Sequence, residues 1–100
     1  MNVSISHHDN VLTVRFDGAV DYTATGVMET LIGDLKSIKA TKVVFDLTHV
    51  PRVDSVGLGF LHLANDEILA AGATMVLRGA NVNVLRLFEI TESNRSFEVE

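Results

Sequence analysis

The chain has no cysteine and no tryptophan, and it contains a single proline, Pro51. Without cysteine there is no disulfide framework, no thiol nucleophile and no cysteine-ligated zinc or iron–sulfur site. Basic residues are few: eight Lys and Arg stand against thirteen Asp and Glu, for a net charge of −5. That balance argues against sequence-independent binding to nucleic acid or to an anionic membrane, and leaves room for a positively charged protein partner. The apolar runs are too short to span a bilayer, and no charged-then-apolar leader pattern is read at the N-terminus, so no membrane insertion and a cytoplasmic setting are expected. What is present is a globular composition, 47% hydrophobic and 21% charged over 100 residues. A chain of this size reads as one domain over 1–100, burying roughly 60–70% of its unfolded surface.

Val3 to His7 alternates apolar and polar residues, the period of a half-buried strand. Asp9-Asn10 reads as a tight turn with Asn10 supplying the positive φ, and Val11 to Phe16 alternates again, giving an antiparallel hairpin closed by Gly18. Ala24, Met28, Leu31, Leu35 and Ile38 fall on one helical face, predicting a helix over 22–38 capped by Asp21 or Thr23. Lys42 to Leu47 is nearly all apolar and suits a central strand covered on both faces, or at least shielded at one edge. After a loop opened by Pro51, a second helix is expected over 57–71, stopped by Gly72. Ala73 to Leu77 then reads as a strand, residues 81–91 as a helix capped by Asn81 and broken by Ser93-Asn94, and Phe97 to Val99 as a last strand. The order ββαβαβαβ predicts an α/β fold: a mixed sheet of four to five strands, an N-terminal antiparallel hairpin and three main helices.

Catalytic signals are scarce. Gly57-Leu58-Gly59 lacks the spacing of a dinucleotide fingerprint, and there is no phosphate-cradling GxxxxGK[ST]. His7 and His8 point to opposite faces of a strand, and His49 and His62 add no ligand spacing, so neither metal nor cofactor is expected. Ser55 and His62 are about two helical turns apart, too far for a nucleophile–base pair, and no enzyme is predicted. The informative stretch is Asp54-Ser55-Val56-Gly57-Leu58-Gly59, a strand-end turn feeding a helix N-terminus that Asp54 or Ser55 can cap.

That stretch resembles the Asp-Ser-Ser/Thr-Gly-Leu signature of the STAS domains, the anti-sigma factor antagonists and their relatives. Gly18-Ala19-Val20-Asp21 resembles the turn before the family's first helix, and Val43-Val44-Phe45-Asp46-Leu47 its central strand. Gly72 to Leu77, Val84 to Thr91 and Phe97 resemble the remaining elements in order, so the resemblance covers the whole chain. It implies a freestanding regulatory module that docks on an anti-sigma factor, a serine kinase or a phosphatase-type regulator. In phosphoregulated members the serine or threonine before the motif glycine accepts phosphate, adding about −1.5 to −2 charges and ejecting the partner. Here that position is Val56, which has no hydroxyl; Ser55, one residue earlier, is the alternative acceptor.

Helical geometry at 3.6 residues per turn puts Leu58, Leu61, Ala64, Ile68 and Ala71 toward the sheet. Gly59, His62, Leu63, Asp66 and Ala70 then face outward, Leu63 as an exposed apolar residue between small neighbours. With Asp21 and Asp54 framing the loop, Ser55 holding it, and Val56 and Gly57 at its tip, these residues form the expected docking face. The same resemblance extends to STAS subunits that brace the ATPase of bacterial lipid-transport ABC complexes, a class that needs no phosphorylation. A third reading, a nucleotide or other anion at the second helix N-terminus, has only Arg52 as a nearby cation. A monomer or weak dimer is expected.

Overall fold

The computed structural model describes all 100 residues. The elements in chain order are β1 (Asn2–His8), β2 (Val11–Asp17), a 3₁₀ turn (Tyr22–Ala24), α1 (Thr25–Leu35), β3 (Lys42–His49), α2 (Ser55–Ala70), β4 (Thr74–Arg78), α3 (Val82–Ile90), a second 3₁₀ turn (Ser93–Arg95) and β5 (Glu98–Val99). One five-stranded sheet runs β1-β2-β3-β4-β5, so order in space equals order in the chain. β1 pairs antiparallel with β2, Ile5 opposite Val14. β2–β3, β3–β4 and β4–β5 are parallel, joined through helices as right-handed crossovers require. The α/β fold class predicted above is therefore present, with five strands.

Alternate strand residues point to opposite faces. Leu12, Val14 and Phe16 of β2, Val43, Phe45 and Leu47 of β3, and Met75 and Leu77 of β4 meet Met28, Leu31 and Leu35 of α1, Leu61, Ala64 and Ile68 of α2, and Val84 and Phe88 of α3 in one core. Phe16 and Phe45 pack edge to face at 5.1 Å. All three helices thus lie on one face of the sheet. Val44 and Val76, paired across β3 and β4, alternate to the other face and are buried there, outside the helix-covered core, so β3 is central and shielded.

Several local expectations are corrected. Positive φ in the first turn belongs to Asp9 (φ 53), not Asn10, the pattern of a turn whose first central residue is left-handed. The first helix starts with a 3₁₀ turn and stops at Leu35 rather than reaching 38. Its last turn tightens through i→i+3 bonds from the Lys36 and Ser37 N–H groups to Gly33 and Asp34, and Ile38 packs on the core from outside the helix. α2 begins two residues earlier than expected because Asp54 is its cap. α3 ends at Ile90, and the chain reverses at Glu92 (φ 57), just before the Ser93-Asn94 pair. β1, expected to be half-buried, is mostly exposed; only Val3 is partly covered, because α1 stands off the sheet edge.

Candidate functional site

The parallel strands end together, and the loops leaving them build the site. Gly18 turns the chain with φ +121, a conformation open to glycine. The Gly18 N–H donates to the His49 carbonyl (3.1 Å), the Val20 N–H to Arg52 (3.0 Å), and the Asp54 N–H back to Val20 (3.3 Å). With the Val20–Val53 bridge, these bonds extend the β2–β3 pairing beyond both strands. The loop carrying residues 50–54 is therefore held as firmly as a strand.

Two carboxylates lock its ends. Asp21 is buried and accepts from the Thr23 N–H (2.9 Å), the Thr23 hydroxyl and the Arg52 guanidinium (2.8 Å). The Thr23 hydroxyl and then Arg52 favour the ionised form and lower its pKa to about 2. Asp54 accepts from the Gly57 N–H (2.7 Å), capping α2, and from the Tyr22 N–H (3.3 Å) at the start of the 3₁₀ turn. One carboxylate thus ties two helical starts together. Asn81 acts similarly for α3: it accepts from the Val84 N–H and donates to the carbonyls of Val50 and Pro51. Three helical N-termini converge on one loop.

Above this frame the surface carries two exposed apolar side chains. Val56 is 44% exposed and Leu63, almost two turns along α2, is 52% exposed. Gly59, Asp66 and Ala70 are exposed on α2 beside them. Asp21 and Gly57 are buried, so they shape the loop from beneath and offer no contact area. Ser55 is exposed and its side chain makes no hydrogen bond; the loop is held by Asp54 instead. His62 is half-buried and turned away from the outward face. Its Nε2 lies 3.0 Å from the buried Ser93 hydroxyl, which also bonds Thr91, and its ring stacks at a tilt on Phe97. A serine–histidine pair does exist, then, but it involves Ser93, sealed in a network that ties α2 to the C-terminal segment.

Sequence reasoning missed Tyr22 and Val82, which are 68% and 70% exposed at the starts of the 3₁₀ turn and α3. The available signal was positional: each follows a cap residue, Asp21 or Asn81, and the first residue after a cap points away from the core. The α2 N-terminus is poorly disposed toward an anion, because Asp54 takes the Gly57 N–H and Arg52 is already paired with Asp21.

The STAS domain profile matches residues 2–100. The chain belongs to the STAS domain family. A curated relative, the anti-sigma-F factor antagonist RsfB of Mycobacterium tuberculosis, is 28% identical over 68 residues, which is 68% of this chain and 56% of the relative. The matched segment thus spans little more than half the length of that protein. Among solved STAS-like folds, an anti-sigma factor antagonist from Mycobacterium paratuberculosis superposes with a TM-score of 0.85 at 21% identity, covering 98% of this chain and 83% of its own. The Bacillus cell-fate determinant SpoIIAA in its phosphorylated form superposes with a TM-score of 0.74 at 14% identity, covering 99% of this chain and 91% of its own. At these identities the two structures establish the STAS fold. No helix of this STAS domain is long and apolar enough to cross a membrane.

Proposed function

We propose that this STAS domain is a non-catalytic, cytoplasmic docking module of the anti-sigma factor antagonist type. It engages a protein partner of the anti-sigma factor or serine-kinase class through the 54–59 loop and the exposed side of α2. The observation that carries the reading is the locked loop, with Val56 presented outward at the position before the buried Gly57. The similarity to the mycobacterial anti-sigma-F factor antagonist supports the partner class. Tyr22, Val56 and Leu63 supply apolar contact area, and Gly59 permits close approach of the partner. Val56 offers no oxygen to phosphorylate, so docking through it is constitutive rather than phospho-switched.

The missing hydroxyl also favours a second reading, a STAS subunit that braces the ATPase of a lipid-transport complex. Capture from the native cell with mass spectrometry of the bound proteins distinguishes a kinase-like partner from a transporter ATPase. Titration of that partner with Val56→Asp and Val56→Ala then tests the surface. An unpaired carboxylate buried at the contact costs several kcal/mol, so the Asp variant binds far more weakly than the Ala variant. Equal affinity for the unmutated chain and Val56→Asp places the interface elsewhere.

A further inference from the structure

The sheet has one long free edge. β1 runs seven residues with β2 on one side and nothing on the other. Its two-residue turn makes His8↔Val11 a hydrogen-bonded pair, and alternation gives Ser6 and Ser4 the same orientation. The N–H and C=O groups of Val3, Ile5 and His7 are therefore directed outward along the edge. Free edges are ordinarily guarded by lysine, proline, a bulge or a short strand. β1 has none of these, and it is the only strand of the five without Asp, Glu, Lys or Arg. In a chain of net charge −5 this is the stretch along which an identical molecule can approach with least repulsion.

We propose that β1 pairs antiparallel with β1 of a second copy about a two-fold axis through Ile5, joining two sheets into one of ten strands. The strand is self-complementary in that register. Residues 2–8 are centred on Ile5, so all seven pair: Asn2 opposite His8, Val3 opposite His7, Ser4 opposite Ser6, and Ile5 opposite its own copy. Polar residues meet on the open face of the sheet, whereas on the helical face Ile5 meets its own copy at the centre and Val3 meets His7 on either side. There Ile5, 52% exposed, stands at a groove of about 550 Å³ between β1 and α1, lined also by Val3, Val27 and Thr30. The second copy places its own Ile5 at the mouth of that groove and covers both. The seam uses no residue of the α2 docking face, so it stands independently of the proposed function.

The chain's lack of cysteine makes the test clean. Sedimentation over micromolar to millimolar concentration is expected to show a mass rising from 10.9 kDa toward twice that value. The Val3, Ile5 and His7 amides gain protection from hydrogen exchange over the same range. Ile5→Lys sets like charges opposite each other and raises the dimer dissociation constant at least about tenfold. Ile5→Cys, oxidised gently, forms a disulfide dimer much faster than Ser37→Cys, because the paired Cα atoms fall within disulfide reach. A mass of one chain at every concentration with unprotected β1 amides overturns the proposal. So does association that Ile5→Lys leaves unchanged while Ile5→Cys crosslinks no faster than the control.

Discussion

Gly57 packs so closely beneath Val20 that a β-carbon on it would fall 1.7 Å from the Val20 carbonyl oxygen. That carbonyl is the acceptor for the Asp54 N–H, so it cannot retreat without opening the loop. Gly57→Ala is therefore expected to destabilise the fold by about 1–3 kcal/mol, the range of overpacked sites. Gly59→Ala, where a β-carbon meets nothing within 4 Å, should stabilise by about 0.4–1 kcal/mol. Urea unfolding of the two variants reads the opposite signs directly.

Asp54→Ala removes the α2 cap and the Tyr22 bond together. A loss of about 0.5–2 kcal/mol is expected from the cap, with faster amide exchange at both Gly57 and Tyr22. Ser55→Ala, which breaks no hydrogen bond, should stay within about 0.5 kcal/mol of the parent.

Acid should weaken the fold through Asp21. Its carboxyl holds its charge down to about pH 2 in the folded chain, against an ordinary value of 3.8. Between those values the unfolded chain binds more protons, so stability rises with pH there. The contribution is complete above the unfolded value and disappears as pH falls through about 2. Asp46, lowered by its Thr48 hydroxyl bond, acts in the same direction. Urea midpoints taken between about pH 5 and about pH 2 should fall less steeply for Asp21→Asn than for the parent.

Val56→Ser places a hydroxyl directly before Gly57. Under the proposed function, this variant is expected to take one phosphate when incubated with a serine-kinase partner and ATP, while the parent takes none. Phosphate on Ser55 of the unmutated chain would show instead that the acceptor has moved by one residue.

His62→Ala removes the partner of Ser93 and the ring that packs on Phe97. The C-terminal segment should loosen first, with the Glu98 and Val99 amides exchanging faster while the β2 and β3 amides keep their protection.

Much of this architecture was legible because its signals are periodic. The alternation of Leu12, Val14 and Phe16, the unbroken Val43-Val44-Phe45 run and the helical spacing of Leu58, Leu61 and Ile68 each reflect burial on a defined face. The Asn81 cap was readable from residue type alone, and the α2 cap was narrowed to Asp54 or Ser55, of which the structure uses Asp54. What was not legible depends on neighbours remote in sequence. Alternation in β1 looks the same whether or not a helix covers it, and here α1 leaves Ile5 open. His62 has the spacing of an outward residue, yet a partner 31 positions away turns it inward. Asp21 and Asp54 were recognisable as caps, but their hold on Arg52 and Tyr22 crosses more than thirty residues of chain.

The identity of strand order in space and in sequence bears on how the chain acquires its fold. Each strand docks only on the strand made just before it, and no later segment must be threaded between two earlier ones. A chain emerging from the ribosome, where N-terminal parts fold first, can therefore lay down the hairpin, then β3, then β4, without waiting for its end. The two-residue β5 arrives last and bonds to Leu77 in a sheet already formed. Synthesis and assembly can run in the same direction, and a ribosome-stalled intermediate truncated after β4 should already protect the amides of β2 and β3.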